Sequence, residues 1–292
     1  MKDAASPAKV LVGLIGAGIQ RSLTPAMHEE EARAQGLKLH YQLIDLDAAR
    51  AGADKLPTLI EAARIMGFAG LNITYPCKQA VIPLLDELSD EAQAMGAVNT
   101  VVFRDGRAIG HNTDGSGWAW GFQRALPQAR LNRVVLLGAG GAGSAIAHAV
   151  LRLGAQHLVI VDREAHRADE AATALNLRYG AGRVSASTDA AAALQDASGL
   201  IHATPTGMDK LPGLPLPAEL LRPELWVAEI VYFPLHTDLL RAARAKGCAT
   251  VDGGTMAVGQ AIGAFELFTG RPADAARVEA HFRRLLGERR AA

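Results

Sequence analysis

The sequence predicts an α/β chain of two domains, each a mostly parallel sheet covered by helices. Two observations carry that prediction. Short apolar runs alternate with longer stretches of helical periodicity, and the same alternation returns after a hairpin-like interruption. With 292 residues, 49% of them hydrophobic, the chain has material for one large core or two moderate ones.

Taken in order, KVLVGLIG (9–16), PAMHEEEARAQG (25–36), HYQLIDLD (40–47), PTLIEAARIMG (57–67) and GLNIT (70–74) read as strand, helix, strand, helix, strand. Strands joined through helices in one sheet run parallel, because the crossover returns the chain to the end of the sheet where the previous strand began. VNTVVFRDGRAIGHNTD (98–114) reads as two strands around Asp105-Gly106, a dipeptide suited to a tight hairpin turn. That hairpin is expected to close the first sheet. RVVLLG (133–138), GSAIAHAVLRLGA (143–155), HLVIVD (157–162), HRADEAATALNLRYG (166–180), GLIHATP (199–205), WVAEIVY (226–232), TDLLRAARAKG (237–247) and ATVDG (249–253) repeat the rhythm. MAVGQAIGAFELFTG and PADAARVEAHFRRLLGERR then read as helices, with Pro272 near a start and an Arg-rich end. Lacking strands of their own, they must pack on a domain already built. The predicted division is residues 1–112 plus 256–292 for one domain and 113–255 for the other.

Thirty basic residues balance thirty acidic ones, and neither sign forms a long run. This argues against nucleic acid or a membrane surface as partner. No stretch reaches the roughly 18 uninterrupted apolar residues of a membrane helix, and the polar, Ala-rich start does not read as a secretory signal. Cys77 and Cys248 lie far apart without CxxC spacing, which fits a reducing compartment, so the cytoplasm is expected. The nine histidines form no HxH or HxxxH set, and no metal is expected.

Gly138-Ala139-Gly140-Gly141-Ala142-Gly143 satisfies GxGxxG after a strand-like run, opens a helix-like one, and is followed by a second strand ending at Asp162. In a Rossmann-type, doubly wound domain the first glycine allows a tight turn. The second lets backbone approach a pyrophosphate, and the third allows close helix packing, while the helix amino end attracts the anion. Asp162 lies about 20 residues on, where a carboxylate accepts from ribose hydroxyls and repels a 2′-phosphate. NAD is therefore preferred. Arg163 and Arg167 could reach such a phosphate, which keeps NADP open. A second cluster, Gly13 to Gly18, lacks the third glycine and is followed by a polar stretch, so it reads as a substrate-side loop.

Polar clusters end the strands of the first half: Ser22-Leu23-Thr24-Pro25, Asn72 to Lys78, Asn99-Thr100 and Asn112-Thr113-Asp114. Open α/β sheets hold ligands at the carboxyl ends of their strands. Hydroxyls, amides, one ammonium and one carboxylate suit a small polyol that carries its own carboxylate.

In order, the Ser-x-Thr-Pro loop, Asn-x-Thr-x-Pro-x-Lys, Gly-Ala-x-Asn-Thr and Asn-Thr-Asp motifs resemble the shikimate and quinate dehydrogenases over nearly the whole chain. The likeness includes ATPTGM (203–208), WVAEIVYFPLHT (226–237), Gln260-Ala261 and Phe268-Thr269-Gly270. It implies a three-layer substrate domain beside the cofactor domain, and hydride transfer between NAD(P) and the C3 hydroxyl of shikimate, quinate or both. It implies Lys78 and Asp114 as the catalytic pair. Ser22 and Thr24 would hold the substrate carboxylate, Thr74, Asn99 and Gln260 would meet ring hydroxyls, and Tyr232 would help close the site. Thr204 and Met208 would join Gly138, Gly140, Gly141, Ala142, Gly143, Asp162 and Arg163 around the cofactor. A homodimer is the family-based expectation.

Each residue also has a plainer reading. Lys78 could be a solvated lysine at a helix start, Asp114 a helix cap, and Ser22 and Thr24 turn or capping residues. Tyr232, Met208 and Cys77 could simply pack. Thr24, where biosynthetic relatives carry serine, together with Asp162 most resembles the NAD-dependent quinate/shikimate subgroup. A biosynthetic NADP-dependent shikimate dehydrogenase and an aminoshikimate-type paralogue are the alternatives. A non-catalytic sensor is disfavoured by the intact Lys78, Asp114 and glycines.

Overall fold

The computed structural model describes residues 9–291; the polar start read above lies outside them. The chain divides into two compact units, with dividing points at Thr113/Asp114 and Gly259/Gln260. The sequence had placed them at 112/113 and 255/256. The second shift has a physical reason: one helix, Gly254–Thr269, gives Met256 to one core and Phe265 and Phe268 to the other. Helical periodicity cannot reveal such a handover.

The first unit contains β1 (Lys9–Gly16), α1 (Thr24–Ala34), β2 (Lys38–Asp45), α2 (Leu56–Ile65), β3 (Gly70–Ile73), β4 (Glu87–Leu88), α3 (Asp90–Met95), β5 (Thr100–Arg104) and β6 (Arg107–His111). They form a six-stranded sheet in the order β2-β1-β3-β5-β6-β4. Only β5 runs against its neighbours. Asp105 and Gly106 turn the β5-β6 hairpin at φ 52° and 76°, the conformation that Asp-Gly predicts. The hairpin does not close the sheet, because β4 adds outside β6. One face buries Ile15, Leu71, Ile73 and Val101 against Leu56, Ile60 and Ala63 of α2. Val12, Leu14 and Val102 instead meet Ala264 and Phe268, while Phe265 packs on Ala32 of α1. Three layers result.

The second unit contains α4 (Asp114–Ala125), β7 (Arg133–Leu137), α5 (Gly141–Arg152), β8 (His157–Val161), α6 (Ala165–Tyr179), β9 (Val184–Ser187), α7 (Ala190–Leu194), β10 (Gly199–His202), β11 (Trp226–Glu229), α8 (Asp238–Ala245) and β12 (Thr250–Val251). The helix noted above is α9 (Gly254–Thr269), followed by α10 (Ala275–Ala291). The six strands are all parallel, in the order β12-β11-β10-β7-β8-β9. This is the doubly wound arrangement, whose strand order reverses between β7 and β10. Helices bury both faces: Val134, Leu136 and Ile160 share a core with α5, and Val135, Val159 and Val227 share one with α7 and α8. Burial on both sides explains why these strands are continuously apolar rather than alternating.

Candidate active site

Where the strand order reverses, β7 runs into the glycine loop and then α5. Gly138 adopts φ +101°, and a Cβ there would stand 2.8 Å from Ala203 O and 3.0 Å from Thr204 Cγ2. A Cβ at Gly143 would stand 2.0 Å from Gly138 O, so only glycine lets helix and loop approach this closely. Gly140 and Gly141 are different, with nothing within 4 Å of an added Cβ. Gly140 is the N-cap of α5 and offers no side-chain cap. Among the described residues, the amides of Gly141, Ala142 and Gly143 have no protein acceptor. Open donors at a helix start, with clear space before them, fit a dinucleotide pyrophosphate.

Asp162 follows β8. Its Oδ2 accepts from Ala139 N at 2.8 Å and its Oδ1 from Glu164 N at 3.0 Å. Burial pushes its pKa up, but these amides and the Arg167 charge outweigh that and hold the carboxyl below its usual value. The negative charge expected from the sequence is therefore maintained, and it also braces the glycine loop. Arg163 is exposed beside it, whereas Arg167 pairs with Glu164 at 3.2 Å. Thr204 is half-buried after β10, and Met208 is exposed further along the same loop.

In the first unit, Ser22 Oγ lies 3.1 Å from Thr24 Oγ1 and accepts from Thr24 N at 3.3 Å. The N-cap position of α1 belongs to Leu23, and no side chain caps that helix. The two hydroxyls thus gather beside an uncapped helix start, a place suited to a carboxylate. Thr74 is anchored to β1 through its amide on Ile15 O at 2.9 Å. Its methyl lies 2.3 Å from where a Cβ on Gly16 would stand, so Gly16 makes room for Thr74. Lys78 is half-buried, and its carbonyl accepts from Val98 N at 2.8 Å, tying the lysine segment to the approach to β5. Gln260 is half-buried in α9, and its carbonyl accepts from Thr113 Oγ1 at 3.4 Å. In the second unit, Asp114 is buried at the first position of α4, and Tyr232 is 44% exposed after β11.

Asn99 serves the scaffold in a way that the sequence did not reveal. Its Oδ1 accepts from Thr113 N at 2.8 Å and from Thr100 Oγ1 at 2.9 Å, and its Nδ2 donates to Thr113 Oγ1 at 3.1 Å. The chain continues through Asn72 Nδ2 to Thr100 Oγ1 at 3.0 Å and from Tyr41 OH to Asn72 Oδ1 at 2.7 Å. Buried polar groups linked in this way hold one arrangement, since breaking any link strands another. Tyr41 carries no motif signal that would have singled it out, and Thr113 stands inside the Asn-Thr-Asp motif without a role of its own in the sequence reading. Asp45 ends β2 beside this unit's own glycine loop. Its carboxylate accepts from Gly18 N at 3.1 Å and Ile19 N at 3.2 Å, so the first glycine loop is already filled by the protein's own anion.

Comparison with known proteins agrees with this layout. Residues 14–101 match the family model of the shikimate dehydrogenase substrate binding domain. Residues 133–210 match that of the NADP oxidoreductase, coenzyme F420-dependent. A shikimate dehydrogenase (NADP(+)) of Streptomyces avermitilis is 60% identical over 279 residues, covering 95% of this chain and 96% of that one. The chain belongs to the shikimate dehydrogenase family. Another relative in it, a quinate/shikimate dehydrogenase (NAD(+)) of Corynebacterium glutamicum strain R, is 46% identical over 94% of this chain and 98% of that one. The solved quinate dehydrogenase from Corynebacterium glutamicum in complex with NAD superposes with a TM-score of 0.91 at 45% identity, covering 95% of this chain and 100% of that chain. The family and the two-domain α/β fold expected from the motifs are both found. The relative named for NADP shares more sequence with this chain than the one named for NAD.

Proposed function

We propose that this shikimate dehydrogenase family member transfers a hydride between NAD(P) and the C3 hydroxyl of shikimate, quinate or both, giving 3-dehydroshikimate or 3-dehydroquinate. It acts on this small hydroxylated ring acid in the cytoplasm, as a homodimer. The observation that carries the reading is the open amino end of α5, where Gly141, Ala142 and Gly143 offer amides and Gly140 and Gly141 leave space, while Gly138 and Gly143 are packed. Gly138, Thr204 and Met208 complete the dinucleotide's surroundings, and Asp162 and Arg163 meet its adenosine ribose. The bound nicotinamide supplies the hydride acceptor or donor.

Oxidising a secondary alcohol also requires removal of the hydroxyl proton. Lys78 and Asp114 share that task, one accepting the proton and the other holding the substrate hydroxyl in line. Ser22 and Thr24, at the uncapped start of α1, hold the substrate carboxylate. Thr74, Asn99 and Gln260 meet ring hydroxyls, and Tyr232 covers them.

The ionised Asp162 favours NAD, because it repels a 2′-phosphate. Exposed Arg163 beside it favours a second reading, a biosynthetic NADP-dependent shikimate dehydrogenase, since a guanidinium pairs with phosphate. Steady-state assays of shikimate and quinate with NAD and NADP, on the native chain and on Lys78→Ala, separate the two. NAD-linked turnover of both acids, lost by about 1,000-fold or more in Lys78→Ala, supports the first reading. Turnover confined to shikimate with NADP supports the second. No turnover in any pairing overturns both.

A further inference from the structure

Behind the cofactor loop lies a buried polar cluster that the reaction scheme above does not use. His202 ends β10 and Glu229 ends β11, in direct register on neighbouring strands. Both side chains are fully shielded from solvent, with His202 Nδ1 2.9 Å from Glu229 Oε1. Glu229 Oε1 also accepts from Ile230 N at 2.8 Å and Val231 N at 3.0 Å, and its Oε2 accepts from Thr237 Oγ1 at 2.9 Å. A carboxylate so surrounded by donors orients the imidazole through Nδ1. The other ring nitrogen, Nε2, meets Thr204 Oγ1 at 2.5 Å.

The cluster joins both loops that leave the carboxyl ends of β10 and β11. Thr204 begins the segment that ends in Met208, and its methyl lies against Gly138 of the glycine loop. Thr237 caps α8 through Leu240 N at 3.3 Å. Its side chain lies 3.5 Å from where a Cβ on Gly207, at φ +95°, would stand. Val231, whose amide is bound by the carboxylate, immediately precedes Tyr232. An apolar pair at positions 202 and 229 would fill the same core without the desolvation cost of a buried carboxylate and imidazole. What an apolar pair could not do is fix a hydroxyl and three loop donors in one geometry.

We propose that Glu229 and His202 are positioning residues for the cofactor loop. The carboxylate orients the imidazole, the imidazole fixes the Thr204 hydroxyl, and together they hold residues 203–208 and 230–237 in the arrangement that receives the nicotinamide end of the dinucleotide. This rests on the dinucleotide reading given above.

The test is a double-mutant cycle on NADH affinity, read by nucleotide fluorescence without substrate, with thermal melting to verify folding. Thr204→Val keeps the shape against Gly138 and should raise the NADH Kd about tenfold, as should His202→Gln. Thr204→Ser should recover to within about threefold of the native chain. The double variant should be no worse than about tenfold, because both changes cut one chain of hydrogen bonds. Unchanged Kd in both single variants, or effects that multiply in the double, overturns the proposal. Amide hydrogen exchange on the nucleotide-free chain provides a separate readout: His202→Gln should speed exchange at 203–208 and 230–237 by about tenfold, and unchanged exchange there also overturns it. A native chain that binds no NADH overturns the dinucleotide reading instead, and the exchange result then still decides whether the pair holds the loops. Should His202→Gln fail to fold, Thr204→Val against Thr204→Ser decides.

Discussion

The glycine loops after β1 and β7 occupy equivalent places in their sheets and have opposite fates. Each follows an inner parallel strand, and each is approached by an aspartate from the end of the neighbouring strand. Asp45 is buried, and its carboxylate takes the amides of Gly18, Ile19 and Asp47 together with the Gln20 carboxamide. Asp162 accepts from Ala139 N and Glu164 N, and leaves the start of α5 open. The difference teaches that a glycine-rich turn after a strand defines an anion cradle, while the neighbouring acid decides whether the anion is internal or a ligand. Shape alone does not distinguish them, because both turns bring backbone donors together.

The largest effect is expected from crowding the open loop. Gly143→Ala places a methyl against Gly138 O and should raise the Kd for NADH by about 100-fold or more, measured by fluorescence titration. An affinity within a few-fold of native would mean that the helix need not approach the loop this closely. Next comes emptying the filled loop. Asp45→Ala should lower Tm by roughly 5 °C through stranded amides, leave the NADH Kd within about twofold, and let added phosphate restore part of the lost Tm. Loss of NADH affinity in that variant would abolish the distinction between the loops.

A third prediction concerns the helix behind the filled loop. His28 of α1 is fully buried among Tyr41, Phe265 and Phe268, and neither ring nitrogen has a hydrogen-bond partner. Burial lowers its pKa from 6.5 to about 3. The unfolded chain then binds the proton more tightly, so this contribution is whole above pH 6.5 and is lost as pH falls toward 3, by about 2 kcal/mol at pH 5. Denaturant melts at pH 5 and 7 should show this loss, and His28→Leu should reduce it; an equal loss in His28→Leu would place the acid sensitivity elsewhere. The smallest effect tests the acid of the open loop. Asp162→Asn keeps an acceptor for Ala139 N but removes the charge, and should shift the ratio of kcat/KM for NAD over NADP about tenfold toward NADP with little change in Tm. An unchanged ratio would assign the choice to Arg163.

Strands with a run of apolar residues were legible in advance, such as Val134 to Leu137 and Leu158 to Val161, and so were the edge strands Lys38–Asp45 and Thr250–Val251. The two that were missed, Glu87–Leu88 and Val184–Ser187, are sheet edges. An edge strand has one partner and partial exposure, so its sequence need not be apolar and carries little period-2 signal. The candidate site divides in a similar way. Residues in linear motifs, such as Ser22, Lys78 and Asp114, could be named through the resemblance that those motifs carry. Tyr41, Asp45 and the His202-Glu229 pair could not, because their partners lie on other elements and meet only in the folded chain.

By itself the sequence determined the alternation of strands and helices, the position of the two glycine-rich turns, and the ordered motifs of the shikimate dehydrogenase family. These are local properties: periodicity, a turn that only glycine permits, and side-chain chemistry at the ends of strands. Tertiary structure alone decided which core each half of α9 would join, which of two similar glycine loops would be filled, and which buried groups would satisfy one another. Those outcomes depend on hydrogen bonds and packing between residues far apart in the chain. A linear pattern cannot express them, because the geometry that joins such residues exists only once the sheets have formed.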